Sequence, residues 1–258
     1  MTSTRTKLYT FGCSYTEDCG EKHLKDNIVY HGGETYIFPK WPKLLSQYLG
    51  IEYKNFGVGG AGNDQIFYHA VNEIVHNHND IDTIAILWSA MWRFWVYGKN
   101  FNPPMWANPK SNHNDYLDYG VYTHLLKELE YANQATKFQI NFFLKNITTL
   151  QKLCNNYNIK LLQWCGTGLL EWSVSSPPFN ISITNQFCEE LENHDIDDTN
   201  IIGWPFEKSL GGMTFWDIHD GDINKGMTIS EEDSHPNAKG HKLIARYFYE
   251  NTKCESKG

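Results

Sequence analysis

The sequence predicts an α/β protein in which helices cover both faces of a parallel sheet, a three-layer α/β/α sandwich. Short apolar runs at 7–11, 52–56, 83–88 and 159–164 alternate with stretches of helical periodicity, the order expected of successive β–α units. The run at 83–88 is apolar almost throughout, as a strand buried on both faces is. No internal repeat, low-complexity tract or linker interrupts the 258 residues, so one domain spanning 1–258 is expected. A chain of this length buries about three quarters of the surface its unfolded form exposes. It therefore needs no disulfides to hold a core.

The first strand, 7–11, runs into Gly12-Cys13-Ser14-Tyr15-Thr16, which reads as a tight turn and a helix start. Helical spacing over 42–49 stops at Gly50, a common C-terminal signal. A second strand, 52–56, leads to Gly57-Val58-Gly59-Gly60-Ala61-Gly62. Over 64–76, Ile66, Phe67, Ala70, Val71, Ile74 and Val75 form one face of an amphipathic helix. The third strand, 83–88, ends at Ser89, and 89–124 reads as an irregular aromatic insertion around Pro103-Pro104. A long helix is expected over 125–157 and a fourth strand over 159–164. Residues 166–232 read as mostly loop, with one helix near 183–193. A closing helix over 237–251 turns Ala238, Leu243, Ile244, Tyr247 and Phe248 inward and leaves His241 on its surface.

Composition excludes several classes. The formal net charge is −8, and nucleic-acid or anionic-membrane binding requires a basic face. Aromatic residues make up 15% of the chain, which argues against disorder. No apolar stretch approaches the roughly 20 residues of a membrane span, and residues 1–11 lack a signal-peptide apolar region. The six cysteines (13, 19, 154, 165, 188 and 254) form no C-x-x-C pair and read as reduced thiols. A cytoplasmic protein without metal or cofactor is expected.

Ligands of open parallel sheets sit at the carboxyl ends of the strands. Four features fall there: the Ser14 turn, the loop 57–63, Trp88-Ser89, and Asp233-Ser234-His235-Pro236 before the last helix. A serine on a strand-to-helix turn can present its hydroxyl at the sheet edge. A histidine can take its proton, and a carboxylate can hold the histidine tautomer. Clustered glycines bring backbone N–H groups near a developing oxyanion. Read separately, Ser14 is also a plain helix N-cap and His235-Pro236 an ordinary loop.

Phe11-Gly12-Cys13-Ser14-Tyr15-Thr16, Asn55-Phe56-Gly57-Val58-Gly59-Gly60 and Asp233-Ser234-His235-Pro236-Asn237-Ala238-Lys239-Gly240-His241 lie in this order along the chain. They resemble the first, second and last blocks of the SGNH/GDSL hydrolases. That resemblance implies a flavodoxin-like sheet and a serine-dependent ester hydrolase working through an acyl-enzyme on Ser14. It further implies His235 as base, Asp233 (alternatively Glu232) as its carboxylate, and the N–H groups of Ser14 and Gly60 as oxyanion donors. Cys13 stands where the family has aspartate. The family's third-block asparagine is absent after Trp88, so Asn63, alternatively Ser89, is taken as the third donor.

The expected substrate is a small-molecule or carbohydrate ester, such as an O-acetyl sugar, met by Trp88, Ser89, Trp92 and Arg93. An acyltransferase would differ only in what relieves the acyl-enzyme. A catalytically inactive glycan-binding protein on the same fold is the reading from another class. The G-x-G-x-x-G spacing over 57–62 with Asp80 and Asp82 also suggests dinucleotide binding, although those acids precede a strand rather than follow one. The acidic group Asp217, His219, Asp220 and Asp222 fits no common metal spacing and reads as a solvated loop.

Overall fold

The computed structural model describes residues 5–18, 38–91, 94–96, 99–101, 134–167, 177–219, 225–229 and 235–253. Four strands, β1 (Lys7–Gly12), β2 (Glu52–Asn55), β3 (Ile81–Trp88) and β6 (Lys160–Cys165), form a sheet in the order β2-β1-β3-β6. Every pairing is parallel; Thr10 lies opposite Asn55 in β2 and opposite Ala85 in β3. Ile201 bridges Gln163 in parallel and marks a rudimentary fifth position beyond β6. A short antiparallel hairpin, β4 (Phe94–Val96) and β5 (Lys99–Phe101), occupies part of the segment read as irregular. Most of that expected insertion lies outside the described residues.

β2 and β3 flank β1 on opposite sides, so the strand order reverses between β1 and β3. Such a switch point opens a crevice beyond the carboxyl ends of the strands. Helices fill the two outer layers. On one face α1 (Trp41–Leu49) packs against α6 (Ala238–Asn251). On the other, α2 (Asn63–Asn77) packs on α3 (Gln134–Asn156), and α3 on α4 (Pro177–Leu191). Alternate side chains of the sheet serve both layers: Trp88 meets Phe143 of α3, and Trp164 stacks on Tyr247 of α6. The expected α/β/α sandwich is the observed architecture.

Element boundaries differ from expectation where polar or proline residues disguise a helix. α4 begins at Pro177, six residues before the expected start, because a proline in the first turn gives up an N–H that has no helical partner anyway. A 3-10 turn (Lys208–Leu210) and a short helix, α5 (Phe215–His219), punctuate the segment read as loop. In α6 the buried face is Gly240, His241, Ile244, Ala245 and Phe248, whereas Ala238 is exposed. The expected stripe was therefore out of phase at its start. His241, expected on the surface, is fully buried. Among the described residues, no helix is long and apolar enough to cross a membrane.

Candidate active site

β1 ends at Gly12, and the chain turns at once: the N–H groups of Thr16 and Glu17 both donate to Cys13 O, at 2.8 and 3.0 Å. This single helical turn leaves the Cys13 side chain buried and Ser14 partly exposed at the carboxyl end of the sheet. The loop after β2 lies against the turn. Val58 N–H donates to Gly12 O at 3.0 Å, and a Cβ on Gly57 would sit 2.5 Å from Glu17 N and 2.6 Å from Thr16 C. Only glycine permits that approach. Ala61 N–H then bonds back to Val58 O, closing a turn in which Gly60 takes φ +74°. Neither the Ser14 nor the Gly60 N–H donates to a backbone carbonyl among the described residues.

His235 arrives from the far end of the chain. Ile229 N–H donates to His235 O at 2.9 Å, and Thr228 bridges Pro236 in antiparallel fashion. Asn237 then caps α6: its Oδ1 accepts from the N–H groups of Lys239 and Gly240, while its Nδ2 donates to the carbonyls of Gly226 and Thr228. The residue that starts the helix thus also fixes the loop that carries the histidine. His235 Nε2 lies 2.8 Å from Ser14 Oγ, and the Tyr15 ring packs at a steep angle to the imidazole, centroids 5.2 Å apart. Of the sequence-predicted residues, the structure brings together Ser14 and His235, with the Gly60 turn in the loop packed on the Ser14 turn. Asp233, Glu232, Trp92 and Arg93 lie outside the described residues.

Three predicted contacts are corrected. Asn63 does not offer its amide to the crevice: Nδ2 donates to Ser89 O at 3.0 Å and Ala90 O at 3.3 Å, and Oδ1 accepts Ser89 N–H at 2.8 Å. It clamps the end of β3. Ser89 is itself fully buried, so it fits neither the donor role nor substrate contact. Trp88 is fully buried too, with its indole N–H on Gln163 Oε1 at 3.0 Å, and belongs to the core. The dinucleotide pattern also comes apart. Asp80 pairs with Lys7 at 3.0 Å and Asp82 accepts from Thr83 Oγ1, both at the amino end of β3, away from the glycine loop. Asp217 is occupied locally, accepting from the N–H and hydroxyl of Thr214, both at 2.7 Å.

His241 packs behind the site. Its Nδ1 accepts the N–H of Trp41 at 3.4 Å, and the ring lies against Phe38. Burial, with Lys40 and His235 nearby, holds its pKa well below the ordinary histidine value. The Trp41 indole donates to Thr16 Oγ1 at 3.3 Å, so the turn bearing Ser14 is braced against the helical layer. A polar cavity of about 200 Å³, lined by Gln151, Asn155, Asp197 and Asn200 among others, opens beside the amino half of β6, at the other end of the sheet from Ser14. Asn55 stands in the second block with no role that the sequence assigns. A signal was present, because an amide ending a strand just before a glycine loop is placed to bond neighbouring backbone.

No family model and no curated protein sequence matches the chain. Among solved structures, the chain is similar to the psychrotrophic esterase EstA from a Pseudoalteromonas species, with 14% identity and a TM-score of 0.48 over 96% of this chain and 97% of that one. It is also similar to a catalytic mutant of Axe2, an acetylxylan esterase from Geobacillus stearothermophilus, with 14% identity and a TM-score of 0.47 over 97% of this chain and 95% of that one.

Proposed function

We propose that this chain is a serine-dependent hydrolase of the SGNH/GDSL kind, cleaving carboxylic esters through an acyl-enzyme on Ser14. The observation that carries the reading is the 2.8 Å approach of His235 Nε2 to Ser14 Oγ at the carboxyl end of the sheet. In the resting state the Ser14 hydroxyl donates to Nε2. As Oγ attacks the ester carbonyl carbon, its proton passes to Nε2 and the carbonyl oxygen becomes an oxyanion. The Ser14 and Gly60 N–H groups are the proposed donors to that oxygen. Collapse breaks the bond to the alkoxide, which leaves as an alcohol with the Nε2 proton. Water then gives a proton to Nε2 as its oxygen attacks the acyl carbon, and the carboxylic acid departs as Oγ regains its proton. Asp233, or Glu232, is the proposed partner of the other ring nitrogen.

The substrate class we favour is a small-acyl ester of a carbohydrate. The polar, tryptophan-rich segment 92–106 supports it, with Trp92 and Arg93 as proposed contacts, and the sequence offers no long apolar stretch for a lipid chain. A sugar hydroxyl replacing water in the second half would make the same site an acyltransferase. The Ser14–His235 contact favours the hydrolase reading over that of a glycan-binding protein without chemistry. The test is a series of p-nitrophenyl esters together with a fluorophosphonate probe. Turnover of the short-chain esters and covalent labelling at Ser14, both abolished in Ser14→Ala and in His235→Ala, are expected. A folded protein that neither turns over any ester nor labels would overturn the proposal.

A further inference from the structure

We infer that Asn55 is a positioning residue that fixes the nucleophile turn and the oxyanion loop to one another; the inference rests on the reading of Ser14 and Gly60 given above. Asn55 ends β2, directly opposite Thr10 in the neighbouring strand, and its side chain is partly buried. Its side-chain bonds reach both functional segments and the strand between them. Nδ2 donates to Thr16 O at 2.7 Å, within the turn that starts at Cys13. Oδ1 accepts the Gly57 N–H at 3.0 Å, at the start of the loop that carries Gly60. The same oxygen accepts the Thr10 hydroxyl at 3.0 Å, which ties both segments to β1.

The orientation of the amide is dictated by these partners. Turned over, it would set an oxygen against Thr16 O and an NH₂ against the Gly57 N–H, losing both bonds. The close approach at Gly57 demands such a tie. Two backbone segments meet there with no side chain between them; Val58 N–H on Gly12 O holds the loop to the end of β1, and Asn55 adds the bond that reaches Thr16 in the turn itself. The Ser14 hydroxyl and the Gly60 N–H must hold one geometry relative to the reacting carbonyl, and a displacement of about 1 Å can cost on the order of 100-fold in rate. The Asn55 side chain bonds to Thr10, Thr16 and Gly57, not to Ser14 or His235. It acts through the two segments it joins.

The near-isosteric Asn55→Asp isolates the tie, because its carboxylate still accepts from Gly57 and Thr10 but cannot donate to Thr16 O. Asn55→Ala removes all three bonds. For both, kcat for p-nitrophenyl acetate is expected to fall by about 10- to 100-fold, with KM within about twofold. A purely structural lesion would move KM and the thermal midpoint along with kcat. The second readout does not depend on activity. Amide hydrogen exchange of Asn55→Asp is expected to speed up in residues 13–17 and 56–61 together, with the helices unchanged. Exchange that rises in only one of the two segments, or in neither, overturns the inference whether or not the wild-type protein proves to be an esterase. Coupled loosening with an inert wild type would leave the tie standing and sink the catalytic reading alone.

Discussion

Gly60 occupies φ +74°, a conformation that costs other L-residues about 1–2 kcal/mol. Gly60→Ala should therefore lower stability by about that amount in a denaturant titration. It should also reduce kcat by about tenfold or more if its N–H serves the oxyanion. A variant with the stability loss and full activity would remove Gly60 from the proposed site. The Ser14–His235 approach and the Gly60 turn, on which the proposed site is built, involve residues the sequence singles out, because a glycine's backbone freedom and a serine's or histidine's proton chemistry mark their positions. Asn63 was misread because an amide carries no such mark. Its hydrogens could face a crevice or the backbone of Ser89, which is 26 residues away, and only the fold decides. Trp88 failed similarly, since an indole at a strand end suits a ligand wall or a core equally well.

Among the elements, α6 ties packing to chemistry most directly. It is capped by Asn237, two residues after His235, and buries His241 one turn further on. Because the folded state holds His241 neutral, its pKa there lies below the ordinary value of about 6.5. As pH falls through that ordinary value the unfolded chain binds a proton that the folded chain refuses, so stability is complete above it and lost below it. The loss accrues at up to about 1.4 kcal/mol per pH unit until the folded-state pKa is reached. Lys40 and His235 push in the same direction as burial. Thermal melts between pH 7 and 5 should show a falling midpoint in the wild type and a flatter profile in His241→Leu. Equal slopes would mean another group sets the acid sensitivity. The helix itself was plain from its periodicity. Its phase was not, because an imidazole scores as polar until a partner such as the Trp41 N–H is known.

At the scale of the whole molecule, the sheet order was legible only in outline. Alternating strands and helices implied parallel pairing, and the structure supplies the order that puts the switch point between β1 and β3. Which strands become neighbours is decided by how the whole chain packs, and no local pattern encodes it. That packing brings Ser14 against a histidine 221 positions later. The proposed site thus draws on both ends of one core and should vanish with it. In a urea titration, fluorophosphonate labelling of Ser14 is expected to fall in the same transition as tryptophan fluorescence. Labelling that outlasts the fluorescence change would reveal a partly unfolded but competent state.

The long separation between serine and histidine also has a meaning during synthesis. A ribosome moving at about 5–20 residues per second needs roughly 11–44 s to travel from codon 14 to codon 235. Throughout that interval the nascent chain carries Ser14 without His235, so the proposed acylation cannot begin until residue 235 has been made.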